Sequence, residues 1–159
     1  MSYENVKQYF ANAGLEGQVK KLDRSSATVE LAAEAIGCRP EQIAKTMSFL
    51  LEDKPVLIVT AGDARVDNAK YKAAFHQKAR MIPRDAVEEY VGHAPGGVCP
   101  FAVKPGVAAY LDISLKRFET VYPAAGDASS AVELSLDELE THSAALGWVD
   151  VCRDWEQHP

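Results

Sequence analysis

An α+β fold, with helices surrounding a mixed and strongly curved sheet, is the architecture this sequence predicts. Three observations carry that expectation. Helical and strand-like segments are interspersed without the regular β-α-β alternation of a parallel-sheet protein. Glycine, proline and capping residues punctuate those segments at short intervals. The chain has 159 residues, 47% of them hydrophobic, enough for one core and too few for two comfortable ones. A single domain over residues 1–159 is therefore expected.

Taken in order, Val6, Tyr9 and Phe10 share one side of a helix from about Tyr3 to Ala13 that stops at Gly14. "QVKKLD" is a short strand candidate. "SSATVELAAEAIG" carries serines for capping, Thr28 three residues ahead of Leu31, and Gly37 as its C-terminal stop. Pro40 opens a further helical turn that should end near Lys45. "MSFLLEDKPVLIVTAG" reads as two strands joined at Glu52-Asp53-Lys54, with Pro55 at an edge or a start. "VDNAKYKAAFHQK" is a helix opened by Asp67 or Asn68, "RMI" a short strand, and "PRDAVEEYVG" a helix from Pro83 to Gly92. The loop "HAPGGVCPFAVKPG" breaks all periodicity. "VAAYLDI", "FETVYPAAG" and "AVELS" follow as short strands, and "SLDELETHSAALG" closes with a Ser135–Glu138 capping box and a stop at Gly147.

Composition narrows the function classes. No stretch approaches the roughly 20 apolar residues that span a bilayer, and the N-terminal segment is amphipathic where a signal peptide would be apolar. A cytoplasmic protein with no membrane partner is expected. Cys38, Cys99 and Cys152 are odd in number and scattered, which fits free thiols in a reducing compartment. His76, His93, His142 and His158 show no ligand spacing, so neither a metal nor another cofactor is expected. The formal net charge of −6 argues against a general coat for DNA or other nucleic acid. The charge is nevertheless uneven. Six basic residues between Asp63 and Arg84 face two acids, while the segment from Glu119 onward has nine acids and one arginine. A basic face could meet a polyanion, and an ordinary solvated helix face explains the same pattern.

Few residues invite chemistry. Lys45 either snorkels from a helix end or places its ammonium in a pocket for an anionic or ester-bearing ligand. "PGGVCP", residues 95–100, is a loop whose backbone amides could approach an oxyanion or carboxylate, or a tight surface turn. Cys99, six residues after His93, raises a cysteine-nucleophile alternative, against the commoner role of a buried thiol as a small hydrophobe. Asp67 and Lys70 stand at a strand-to-helix transition where a phosphate could sit, though Asp67 as a plain N-cap explains the pattern equally well. Asp112 is either a site acid or a strand end.

In their order these pieces resemble the YbaK/ProX family, free-standing and synthetase-associated domains that deacylate mischarged tRNA. The matching stretches are "IAKTM" around Lys45, "VTAGDARVDNAKYKAAF" with its D-x-x-K helix, "GGVCPFAV", "YLDISL" and "VYPAAG" with "VELSLDEL", together covering about residues 20–142. The resemblance implies a barrel-like mixed sheet and a pocket for the aminoacyl-adenosine end of tRNA. By carry-over, Lys45 holds the substrate near its ester and phosphate with Thr46 beside it. Gly96, Gly97, Val98 and Pro100 belong to the loop that cradles the aminoacyl group, and Asp67 and Lys70 join the substrate-binding set. No metal and no protein nucleophile are implied; a positioned water and a ribose hydroxyl of the substrate do the work. The implied function is a trans-acting aminoacyl-tRNA deacylase for a small amino acid, with tRNA-Pro as one candidate carrier and a synthetase as a further partner. Two departures stand out: Ala124 and Ala125 supply no polar group where some members carry serine or histidine, and Cys99 takes a position often held by serine or proline. A non-catalytic tRNA-end or synthetase-binding module is the main alternative, and a Cys99-dependent hydrolase the weaker one.

Overall fold

The structure is a computed structural model that describes residues 2–157; His158 lies outside them. Helix α1 (Ser2–Asn12) turns Val6 and Phe10 fully into the core. It is followed by β1 (Val19–Lys21) and α2 (Val29–Ile36). Thr28 caps α2 by accepting from the Leu31 amide, and Gly37 ends it in the left-handed conformation. A 3-10 turn at Pro40–Gln42 leads into the long hairpin of β2 (Ile43–Leu51) and β3 (Lys54–Ala61). Glu52 and Asp53, at φ 53° and 66°, form its two-residue turn, the backbone that suits the twist of paired strands.

The chain continues through β4 (Arg65–Val66), α3 (Asn68–Phe75), α4 (Val87–Val91), β5 (Ala108–Asp112) and β6 (Thr120–Pro123). It closes with β7 (Ser130–Val132), β8 (Leu134–Ser135), α5 (Leu136–Ser143), β9 (Trp148–Val149) and β10 (Cys152–Arg153).

Six strands form one mixed, curled sheet in the order β8-β6-β2-β3-β5-β9. The β2–β3 pair is antiparallel from Ala44 opposite Ala61 to Leu51 opposite Lys54; β2–β6, β3–β5 and β5–β9 are parallel. β1 pairs with β7 and β4 with β10 in two small ribbons. This is the α+β half-barrel expected from the sequence. Its core joins Phe49, Ile58, Val59 and Leu111 from the sheet to Phe10, Phe101 and Leu139. The Phe10 ring meets Phe101 edge-on at 4.9 Å, and Tyr9 Oη pairs with His142 Nδ1 at 2.9 Å, which locks α1 onto α5.

Four local expectations are corrected. The Pro40 turn ends at Gln42, so Lys45 is the third residue of β2 and sits at no helix terminus. "RMI" forms only an isolated bridge between Met81 and Phe49. "PRDAVEEYVG" divides into a 3-10 turn, Arg84–Ala86, and the single turn of α4, because Pro83 keeps an extended backbone before it. α5 ends at Ser143 with Ala144 in the left-handed conformation, ahead of Gly147.

The C-terminal segment is tied down by buried polar pairs. Arg117 grips Asp63 with two parallel hydrogen bonds, 2.6 and 3.0 Å, and donates to the carbonyls of Ser114 and Trp155 at 2.9 and 3.1 Å. Its guanidinium also stacks near the Phe118 and Trp155 rings. No helix among the described residues is long and apolar enough to cross a membrane.

Candidate functional site

One cavity of about 620 Å3 opens against the hairpin. Residues 43–48 of β2 form one wall. Val29, Ala32 and Ile36 of α2 face it, with Pro95, Gly96 and Val98 of the irregular loop and Ala124, Ser130 and Ala131 completing the enclosure. Exposed Arg84 and Met81 also line it. The lining is mainly apolar, and among the described residues that form it there is no carboxylate, imidazole or thiol.

Lys45 lines this cavity, and its ammonium makes no hydrogen bond or ion pair with another described residue. Its pKa lies below the ordinary lysine range: burial is the main cause, Arg65 adds to it, and Asp63 and Glu30 pull the other way. A strand fixes the Lys45 backbone through its pairing with Thr60, so the cation is presented from a rigid element. Thr46, next along β2, also lines the cavity, and its Oγ1 is buried without a hydrogen-bond partner.

The loop is held at close quarters. Gly96 adopts φ 92°, a backbone that favours glycine. At Gly97 a side chain would put its Cβ 2.4 Å from the Asp127 backbone, so only glycine lets the loop lie against residues 126–127. The Gly97 amide donates to the Ala94 carbonyl, 3.1 Å, and closes the turn; the amides of Gly96 and Val98 have no acceptor among the described residues. Of the loop residues expected at a site, Gly96 and Val98 line the cavity, whereas Gly97 and buried Pro100 stand behind them.

Asp67 and Lys70 are placed elsewhere. Neither lines the cavity. Asp67 Oδ1 caps α3 by accepting from the amides of Ala69 and Lys70, 2.8 and 3.4 Å. Lys70 Nζ donates to the Cys152 carbonyl at 2.9 Å and to Asp150 at 3.2 Å, so it anchors the C-terminal segment. Asp112, fully buried, accepts from the amides of Ser114 and Val151, both at 2.9 Å, and serves the same anchor.

Cys99 lacks the setting of a nucleophile. It is fully buried and outside the cavity lining, and burial pushes its thiol up to about 12, against the opposing effect of the Phe101 and Gly126 backbone. His93 Nε2 is 3.5 Å from the sulfur but 2.7 Å from the Phe101 carbonyl. A carbonyl only accepts, so Nε2 carries the proton and cannot take one from the thiol.

Sequence reasoning missed Ser130 and Arg84. A serine ahead of a short strand and an arginine after a proline carry no local mark of a cavity.

The aminoacyl-tRNA editing domain family matches residues 23–141. The uncharacterized protein YwhH of Bacillus subtilis is 48% identical over 157 residues, covering 98% of this chain and all of that protein. A proline–tRNA ligase of Limosilactobacillus fermentum is 32% identical over 103 residues, which span 61% of this chain and only 18% of the ligase. The crystal structure of a protein proposed as a trans-editing enzyme for prolyl tRNA synthetase superposes with a TM-score of 0.86 at 27% identity, covering 96% of this chain and 98% of that one. Together with the curled six-stranded sheet, these matches show that the chain belongs to the aminoacyl-tRNA editing domain family.

Proposed function

We propose that this protein is a trans-acting aminoacyl-tRNA deacylase that hydrolyses the ester of a tRNA mischarged with a small amino acid, tRNA-Pro among the carriers. The observation that carries this reading is the cavity wall: a partly desolvated, unpaired Lys45 on a rigid strand beside a loop with two unspent amides. Such a site suits an ester next to a phosphate. Lys45 holds the acceptor end by charge with Thr46 beside it, and Gly96 and Val98 contact the acyl group, their free amides available to the oxyanion that forms. Gly97 and Pro100 shape that loop from behind.

Water adds to the acyl carbon, the bond to the ribose oxygen breaks, and the proton passes to that oxygen, releasing the amino acid and uncharged tRNA. With no carboxylate, imidazole or thiol among the described residues of the lining, the water is oriented by the substrate's own ribose hydroxyl, and the protein contributes positioning and electrostatic stabilisation. The net charge of −6 fits a protein to which a synthetase delivers the tRNA; full activity on free tRNA at physiological salt would remove that part of the proposal.

Deacylation of tRNAs each charged with one small amino acid tests the reading. Wild type releases one or two of the acyl groups, and Lys45→Ala lowers the rate by roughly 10²–10³-fold with the fold intact. Undiminished turnover by the variant removes the basis of the proposal. Binding of charged tRNA without any hydrolysis moves the assignment to a non-catalytic module.

A further inference from the structure

Two buried hydroxyls of residues in the cavity wall have no hydrogen-bond partner among the described residues. Ser130, 1% exposed at the start of β7, lines the cavity with its Oγ unpartnered, and Thr46 Oγ1 on β2 is in the same condition. Of the neighbouring hydroxyls of the lining, Thr28 caps α2 and Ser26 donates to the Ser130 carbonyl at 3.5 Å, and Ser48 also lines the cavity. The Asp127 carboxylate is also near. Burial works to raise its pKa, but the Lys21 ammonium, the Ser129 amide and the proximity of the Ser130 hydroxyl together hold it below the ordinary range. The Ser130 hydroxyl stabilises the Asp127 carboxylate without the length and angle of a full hydrogen bond. Leaving two buried hydroxyls unsatisfied is costly, and a cavity is where a ligand can relieve that cost.

We propose that the cavity selects an aminoacyl group with a hydroxyl on its side chain, seryl or threonyl, over alanyl, and that Thr46 and Ser130 are the specificity-determining residues. The inference rests on the deacylase reading and deepens it. A hydroxyl both donates and accepts, so a side-chain hydroxyl can bond to Thr46 or to Ser130, whereas a methyl group can bond to neither. Val29, Ala32, Ile43 and Ala131 give the wall its apolar part. Sites built to hydrogen-bond a substrate hydroxyl reject the analogue lacking it far more strongly than apolar pockets reject an extra methyl group.

One tRNA-Pro, charged in turn with serine, threonine and alanine, makes the acyl group the only variable. Wild type is expected to hydrolyse the seryl or threonyl ester at least about tenfold faster than the alanyl ester. Ser130→Ala and Thr46→Val are each expected to reduce that ratio severalfold or more. Neither change breaks a hydrogen bond of the fold, and thermal melting checks that both variants are folded; should one fail, the wild-type ratio decides. Equal wild-type rates for the three esters, or hydrolysis of the alanyl ester alone, overturn the inference and leave the deacylase reading standing. A ratio unchanged in both variants also overturns it, and assigns the hydroxyls to Asp127 or to the α-amino and ribose groups that every substrate shares. Hydrolysis of none of the three esters, nor of any other small-aminoacyl ester, brings down the reading and the inference together.

Discussion

The cavity wall and the C-terminal anchor are both built from polar residues on or beside the same sheet, and they treat those residues in opposite ways. Around the anchor the charged groups are paired: Asp63 is forked by Arg117, Asp112 accepts from two amides, and Lys70 donates to the Cys152 carbonyl; only the Trp155 Nε1 there is buried without a partner among the described residues. Along the cavity, Lys45, Thr46 Oγ1 and Ser130 Oγ have no hydrogen-bond or ion-pair partner among the described residues. Buried polar groups that are fully paired hold a fold together, while those left open are a standing cost that a bound molecule can relieve. Tyr71 Oη, His93 Nδ1 and Trp155 Nε1 are also buried without a partner among the described residues, so what sets Thr46 and Ser130 apart is that their residues line the cavity as well.

The largest effect should come from breaking the anchor. Asp63 and Arg117 side chains are only 13% and 9% exposed, so Asp63→Ala leaves a buried guanidinium without its carboxylate and is expected to cost about 3–5 kcal/mol in urea unfolding. A shift within about 0.5 kcal/mol would mean that this pair is as dispensable as a surface one. The cavity should answer in the opposite direction. Lys45→Met keeps the length of the side chain and removes a desolvated charge, so the melting temperature should rise, by roughly 0.5–2 kcal/mol in stability, while deacylation is lost. The same depressed pKa sets an alkaline limit. The charged lysine is present at low pH and lost as pH rises through its lowered value, so activity should fall at a pH below the ordinary lysine range of about 10.4. A limb at or above that value would contradict the burial argument. The smallest effect on activity is expected for Cys99→Ala, because the thiol is buried, protonated and outside the cavity. A complete loss of turnover with the fold retained would reopen the nucleophile.

Much of the fold was legible because its signals are local. The Thr28 cap of α2, the Asp67 cap of α3 and the Ser135–Glu138 box of α5 join residues two or three apart. The Glu52-Asp53 turn is likewise set by adjacent residues. Lys45 and the Gly96-Gly97 loop could be picked out because a short motif surrounds each. The readings that local sequence left open share the opposite character. Lys70 reads as a phosphate ligand until Cys152, 82 residues away, takes its proton donor. Asp112 reads as a site acid until Val151, 39 residues on, donates to it.

The sequence by itself determined the helix caps, the hairpin, the α+β class and the two motifs that flank the cavity, since each follows from spacing, side-chain chemistry and backbone preference within a few residues. Only the tertiary structure decided which polar residues are spent and which are open. That choice depends on partners that sheet pairing brings together, such as Arg117 with Asp63 across 54 residues, and on the burial that makes an unpaired Ser130 or Lys45 costly. Desolvation and long-range pairing are properties of the packed chain, and they turn a lysine, a threonine and a serine of unremarkable sequence into the open wall of a site.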